Sequence, residues 1–589
     1  MPNAQALSDY RKEEAVAESL ARLWEGFQAY CDGFTAITRR AQGRFEKRDW
    51  QGMRADTLER LDLYGQVVDR TVRRVVDRLG LQAKTPDVWR TLKAGFTDGL
   101  KQRTDSELAC TFYNSVNRRI LQTVGIDPQL EFVAPHPAES AQPPSNGVCF
   151  SMTVPAVTPD VIQALLAQYP FKIPFADLHT DARLCAERLR LRLAHAPAPP
   201  APIRIEMLRT PFFREMRAYL IGRICRGDHQ VPLVFALENS DQGPGLLVDA
   251  LLLTTEALRV LFSFSHAYFH VPSETPRELV RFVKQLMPSK RNAELYIGLG
   301  YNKHGKTELY RDLLDHQQVC GQDRFDFADG QRGMVMIAFN MPGDDLIYKL
   351  IRDRFASPKS ATHRQVMEKY DFVFRHDRAG RLVDVQTFEN LELDQCCLTS
   401  GLLEELSTEA RRTVTMTEDR VVLHHVYVER RMIPLDLFLK QADARDAKSA
   451  VIDYGRAIKD LARINIFPGD LLIKNFGVTR LGRVVFYDFD ELCPLTDCHF
   501  RRMPQSRGYE DEMEAEPWFA VGDNDVFPEE FASFLALSSE LRQVFFQHHG
   551  DLLTPEFWQE TQDTIRAGVI TPILPYTDAQ RLRPAGHAG

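Results

Sequence analysis

At 589 residues the chain is longer than one hydrophobic core usually organises, so two large domains are expected. Its 44% apolar and 26% charged residues are those of an ordinary globular protein and argue against long disorder. The formal charge of −8 is modest, and Lys and Arg are spread rather than massed, which speaks against nucleic acid as a partner. No run approaches the ~18 apolar residues that a membrane span needs, and the first residues lack an apolar signal region. A cytoplasmic protein with no membrane partner is the expectation. The ten cysteines include no Cys-x-x-Cys pair and read as reduced thiols. Cys493 and Cys498, with His499 behind them, lack the second ligand pair that a metal site wants.

In chain order, the first ~130 residues read as helices. Between Tyr10 and Phe34 the apolar residues Val16, Leu20, Leu23, Trp24, Phe27, Tyr30 and Phe34 follow the period of one buried helix face. The proline-rich stretch 134–147 ends that regime, and strand-like Ser151–Val154 follows. A second one, 194–204, reads as an extended surface connection. A strand-like run over 231–239 and a mixed run over 246–269 then suggest an α+β subdomain, and near 315–330 the texture changes to short strands punctuated by glycine. From Gly333 the pattern predicts a strand, a turn over Met341–Asp344 and a second strand, a tight antiparallel hairpin. A helix over His363–Phe374, strands over Leu382–Phe388 and Val421–Val428, and a helix over Ala447–Ile464 come next. The loop Phe467–Asp470, the strand Leu471–Val478 and a strand ending at Asp488 lead into a mostly helical remainder.

The segment Phe467–Glu491, FPGDLLIKNFGVTRLGRVVFYDFDE, carries the chemistry. Asp470 lies in a loop after a helix, Asn475 follows five residues on, and Asp488 ends a strand. Phosphoryl transfer needs one carboxylate to take or orient the hydroxyl proton, and an amide oxygen with a second carboxylate to hold magnesium against the phosphates. Upstream, Lys349 sits in a strand behind the turn Ala328-Asp329-Gly330-Gln331-Arg332-Gly333-Met334, whose glycines let backbone amides approach phosphate oxygens. Each feature alone is ordinary turn or edge-strand chemistry. Their order is that of a protein kinase. His-Arg-Asp is replaced by Pro468-Gly469-Asp470, Asp-Phe-Gly by Asp488-Phe489-Asp490, and Ala-Pro-Glu is missing, which excludes an ordinary eukaryotic-type kinase.

Through RGMVM, KLIRDRF, YVERRMIPL, FPGDLLIKNFGVTR and GRVVFYDFDE the chain resembles the bacterial isocitrate dehydrogenase kinase/phosphatase family. The resemblance runs from the N-terminal helices to about residue 570. It implies an α+β chain: a largely helical N-terminal regulatory domain (1–315, with an α+β part after about 150), then a divergent bilobal protein-kinase-like catalytic domain (316–589). It implies an enzyme that phosphorylates a serine of isocitrate dehydrogenase and removes that phosphate, controlling flux between the tricarboxylic acid cycle and the glyoxylate bypass. By the same resemblance, Ala328–Met334 and Lys349 bind ATP or ADP, Asp470 is the catalytic-loop carboxylate, and Asn475 and Asp488 bind magnesium or manganese. Asp490 and Lys474 are nearby matches, and Asp384 is an active-site carboxylate tied to the phosphatase direction. Glu368 is the candidate partner for Lys349. AMP and other metabolites are implied as effectors, and a homodimer is compatible with the resemblance. A small-molecule kinase or a regulatory pseudokinase would share the kinase-like order. The large N-terminal half argues against the first, and intact Lys349, Asp470, Asn475 and Asp488 argue against the second.

Overall fold

The protein is described by a computed structural model, which covers 4–101, 103–133, 147–194, 202–239, 243, 245–264, 268–318, 323–330, 332–357, 359, 361–504 and 519–583. Most of the two proline-rich stretches lies outside the described residues. The chain mixes helix and sheet and divides into two compact units, Met1–Gln318 with Leu574–Gly589, and Val319–Ile573.

The first unit opens on four helices: α1 (Ala4–Glu46), α2 (Trp50–Leu79), α3 (Pro86–Leu100) and α4 (Ser106–Leu121). The Asp49 carboxylate accepts the Gly52 amide at 2.8 Å and so caps α2. The stripe read from the sequence is buried: Leu23, Phe27, Tyr30 and Phe34 share one core with Val68, Trp89, Phe96 and Phe112. A six-stranded antiparallel sheet follows, made of β1 (Cys149–Val154), β2 (Ile203–Leu208), β3 (Phe212–Arg214), β4 (Arg217–Arg226), β5 (His229–Asn239) and β6 (Leu246–Leu252). Its order is β1-β2-β4-β5-β6, with β3 on β4. Alternation along β4 divides the faces: Tyr219 and Ile221 join the helical core, while Ala218 and Leu220 pack with α5 (Pro159–Leu166) and α6 (Leu178–Ala194). Helices α7 (Thr255–Leu261), α8 (Pro276–Leu286), α9 (Asn292–Gly298) and α10 (Asn302–Gln318) complete the run.

The end of the chain also belongs to this first unit, whereas the sequence reading left it with the second. Arg581 bridges to Ala250 on β6, and the Leu582 amide donates to the Asp249 carbonyl at 2.7 Å. Tyr576 Oη donates to the Asp249 carboxylate at 2.6 Å, Arg581 Nε does so at 2.8 Å, and Arg583 pairs with buried Asp181 at 2.7 Å. Two buried carboxylates on the sheet side attract this tail, a long-range match that local patterning does not show.

The second unit begins with β7 (Asp326–Phe327), β8 (Met336–Asn340) and β9 (Leu346–Ile351), the last two forming the expected hairpin. Then come α11 (His363–His376), β10 (Val385–Asp394), α12 (Ser400–Glu409), β11 (Val414–Met416) and β12 (Arg420–Arg430). The strands form one antiparallel sheet in the order β10-β12-β9-β8-β7, with β11 on β12. Past it lie β13 (Ile433–Pro434), α13 (Leu435–Gln441), α14 (Ala444–Arg463), β14 (Ile466–Phe467), β15 (Phe476–Val478), β16 (Val484–Phe486), β17 (Cys493–Pro494), α15 (Ser539–His549) and α16 (Pro555–Arg566). One core joins Val366 and Tyr370 of α11, Val451, Tyr454 and Ile458 of α14, Phe486 and Trp558.

Two strand expectations change. The strand expected from Leu382 starts at Val385 and runs to Asp394. Leu471–Val478 is not one strand, because the Asp470 carboxylate accepts the Leu472 amide at 2.9 Å and bends the chain into a 3-10 turn over Ile473–Asn475. Eight described cysteines are free, but Cys397 is disulfide-bonded, against the expectation that all thiols are reduced.

Candidate active site

The β8–β9 hairpin sets Lys349 between Ala338 on one side and Tyr427 of β12 on the other. Glu429, two residues past Tyr427 on the same face of β12, is its diagonal neighbour. Lys349 Nζ meets Glu429 Oε2 at 2.7 Å and donates to the Tyr487 carbonyl at 2.9 Å. The lysine is thereby tied to the residue before Asp488. Glu368, the candidate partner read from the sequence, pairs instead with Arg364 one turn away on α11, at 2.7 Å, with both side chains exposed. The signal for Glu429 lay in the alternation of Tyr427-Val428-Glu429-Arg430, which puts Glu429 on the face of Tyr427, but the strand's neighbour is not legible from one sequence.

The loop over Phe467–Asp470 is held by its own backbone. Gly469 has φ +77°, and a Cβ there would lie 2.6 Å from the Glu491 carbonyl, so only glycine lets the loop lie against the chain beyond Asp488. The Asn475 carbonyl accepts the Tyr487 amide at 3.1 Å, placing Asn475 beside the start of Asp488. Asn475 is 5% exposed. Asp384 arrives from another direction: Leu382 bridges in parallel to Phe486, and the Val383 amide donates to the Phe486 carbonyl at 3.0 Å. Gln386 Nε2 donates to Asp384 at 3.1 Å.

The charges in this region act on one another. Burial raises the Asp488 carboxyl above its ordinary range; Lys349 and Lys359 pull it back, and Asp470 pushes it up. Burial and then the Asp488 charge raise Asp490 as well. Burial raises Glu429 against the pull of Lys349, with Asp488 and Asp384 adding repulsion. Asp384, Glu429, Asp470, Asp488, Asp490 and Glu491, six carboxyl groups, thus share one region with two ammonium groups, and Lys359 is already paired with Glu491 at 2.5 Å. The cluster is short of positive charge, and Glu429 Oε1 is buried with no hydrogen-bond partner among the described residues. Such a donor set of hard oxygens fits a divalent cation. Among the described residues no three His, Cys, Asp or Glu side chains are arranged to hold a metal ion by themselves.

The turn Ala328–Met334 links β7 to β8. The Ala328 amide donates to the Ala338 carbonyl at 3.0 Å, and Gly330 has φ +110°. Asp329 pairs with Arg431 at 2.7 Å, and Arg332 pairs with Glu405 at 2.8 Å while lying over Phe327. A Cβ on Gly333 would lie 2.9 Å from the Met336 carbonyl. Met334 is exposed. Gln331 lies outside the described residues.

A lysine fixed between buried Glu429 and the Tyr487 carbonyl thus stands beside a cluster of carboxylates. The class is that of a two-unit, mixed helix-and-sheet protein with a site suited to phosphoryl chemistry. Comparison with known proteins narrows this. The kinase-domain model of isocitrate dehydrogenase kinase/phosphatase (AceK) matches residues 323–578, and the regulatory-domain model matches residues 21–320. Proteins named isocitrate dehydrogenase kinase/phosphatase from Anaeromyxobacter sp. (strain Fw109-5) and Anaeromyxobacter dehalogenans (strain 2CP-C) are 45% and 46% identical, covering 97% and 95% of this chain and 98% and 97% of their own. One from Xanthomonas campestris pv. campestris (strain 8004) is 40% identical over 98% of this chain and its entire length. The chain belongs to the isocitrate dehydrogenase kinase/phosphatase family.

Proposed function

We propose that this chain transfers phosphate from ATP to a serine of isocitrate dehydrogenase and takes it off again, with one nucleotide site serving both directions. The observation that carries the reading is the tie between Lys349, Glu429 and the Tyr487 carbonyl, which locks the lysine to the strand end bearing Asp488. In this reading the second unit is a divergent two-lobed kinase fold: the β7–β12 sheet with α11 is the nucleotide side, and α14 with the segments after it is the substrate side. Boundaries near 315 follow for the regulatory and catalytic domains, apart from the returning tail.

Lys349, pre-oriented by its two partners, holds phosphate oxygens as a fixed ammonium. Backbone amides at Gly330 and Gly333 in the turn would approach the same oxygens. Asp470 takes the proton of the attacking seryl hydroxyl. Asn475 and Asp488 would hold magnesium, which would neutralise phosphate charge when bound. Asp384, brought beside Phe486 by the parallel bridge, orients water for phosphoserine cleavage in the reverse direction. We place the chain in the cytoplasm with these substrates; no helix among the described residues is long and apolar enough to cross a membrane. AMP-class effectors would act on the first unit.

Release of labelled phosphate from phospho-isocitrate dehydrogenase, with and without ADP or ATP, tests the single site. Asp488→Ala is expected to lower both directions by ~100-fold or more, and Asp384→Ala to lower dephosphorylation more than phosphorylation. Full release without nucleotide, or an Asp488→Ala enzyme that lost only kinase activity, would show two sites and overturn the proposal.

A further inference from the structure

Cys493 and Cys498 have no part in the chemistry above, yet the fold brings them together beside it. Their sulfurs lie 3.6 Å apart across the turn Pro494–Asp497. Cys493 is half-buried, and Cys498 is 4% exposed, in the core that also holds Phe467 and Phe500. The turn between them is pinned to the strand that enters the catalytic loop: the Leu495 amide donates to the Asn465 carbonyl at 3.1 Å and the Thr496 amide to Asn465 Oδ1 at 3.0 Å. Cys493 itself pairs with Phe467, three residues before Asp470. Two residues upstream of Cys493, the Glu491 carbonyl is the group that Gly469 must avoid. The thiol pair therefore sits on a stretch of chain that touches the 467–470 loop twice. No further His, Cys, Asp or Glu in reach makes the pair a metal site among the described residues.

We infer that Cys493 and Cys498 are a reversible dithiol–disulfide site, oxidised by peroxide-class oxidants, whose closure slows phosphoryl transfer by drawing Cys493 off its pairing with Phe467. The effect on transfer rests on the function proposed above; the bond itself does not. Closing the gap from 3.6 Å to the ~2.05 Å of a disulfide draws the two sulfurs about 1.5 Å closer, on a strand pair that Cys493 makes with Phe467. A ~1 Å misplacement near the reacting groups can cost up to about 100-fold in rate.

The chemistry balances. The Cys493 thiolate attacks peroxide, an S–O bond forms as the O–O bond breaks, and hydroxide leaves to become water. The Cys498 sulfur then attacks the sulfenic acid, the S–S bond forms, and a second water leaves with the thiol proton. Two electrons pass from the sulfurs to one peroxide, and a small dithiol returns them. Cys493 is the better first nucleophile: the Cys498 thiol hydrogen-bonded to it lowers its pKa, burial opposes this, and the Lys369 ammonium adds to the lowering.

Trypsin cuts after Arg483 and Arg501, so both sulfurs fall in one peptide, Val484–Arg501. Full-length protein treated with hydrogen peroxide, alkylated and digested is expected to yield that peptide unalkylated and lighter by two hydrogens, reverting with dithiothreitol. Hydrogen exchange of the 467–472 amides is expected to change in the oxidised form, and kinase turnover to fall about tenfold or more. Cys498→Val, or Cys493→Ser should the first fold poorly, is expected to keep the reduced activity and lose the response. An alkylated peptide after peroxide, or a closed disulfide with unchanged exchange in the loop, overturns the inference. A reduced enzyme with no phosphotransfer would count against the proposed function only, because the peptide and the exchange are read without it.

Discussion

Replacing Glu429 by glutamine leaves Lys349 an oxygen to bond with but removes its counter-charge. A hydrogen bond to a charged group that becomes one to a neutral amide loses about 1.4 kcal/mol, or tenfold. Glu429→Gln is therefore expected to raise the KM for ATP about tenfold with a smaller change in kcat. Glu368→Gln, which alters only an exposed pair with Arg364, is expected to change neither. Initial-rate kinetics on the two variants decide between the partners. At this scale the sequence was legible for residue types and blind to pairing. Lys349, Asp470, Asn475 and Asp488 stood out by spacing, whereas Glu429 is chosen by the register of β12 against β9, which no local pattern encodes.

At the scale of elements, the packing of α14 on α15 is narrow at one glycine. A Cβ on Gly455 would clash with the imidazole of His549, whose Nε2 donates to the Ile452 carbonyl at 2.9 Å. Gly→Ala in a helix normally gains up to ~1 kcal/mol, but overpacking costs ~1–3 kcal/mol. Gly455→Ala is expected to destabilise the second unit by roughly 1 kcal/mol in urea titrations, and His549→Ala in the same chain to restore part of it. The ring also sets a pH dependence. Burial holds His549 down at about 4, from an ordinary 6.5. Between these values the unfolded chain binds more protons than the folded one. The contribution is thus fully present above about 6.5 and lost as pH falls toward 4. Stability measured across that window is expected to fall less steeply in His549→Gln. The helix of 447–464 was legible from its stripe of Val451, Tyr454, Ile458 and Leu461. Its partner across Gly455 was not, because a glycine in a helix reads the same whether it faces solvent or a ring.

For the whole molecule, the returning tail is the feature with measurable weight. Ending the chain at Ile573 would leave the Asp249 and Asp181 carboxylates, 6% and 0% exposed, without Tyr576, Arg581 and Arg583. Stripping one partner from a buried charge pair costs ~3–5 kcal/mol, although Arg217 stays near Asp249. Leu574 and Tyr576 also leave the helical core, and Leu582 the second one. The truncated protein is expected to melt at least ~5 °C lower, with amide protection on β5 and β6 lost first. Unchanged melting would show that the tail is ornamental to the first unit.

By itself the sequence determined the helices with buried stripes, the β8–β9 hairpin, the order of chemical groups and the family. Those depend on periodicity, on turn residues and on spacing within a few residues, all of which are local. Tertiary structure alone decided that Glu429 rather than Glu368 meets Lys349 and that Asp384 enters beside Phe486. It also decided that Cys493 faces Cys498 against the 467–470 loop and that Tyr576, Arg581 and Leu582 return to β6. Each of these is a choice of partner between distant segments, set by strand register and by the need of buried charges for counter-charges, and one chain read alone does not display such choices.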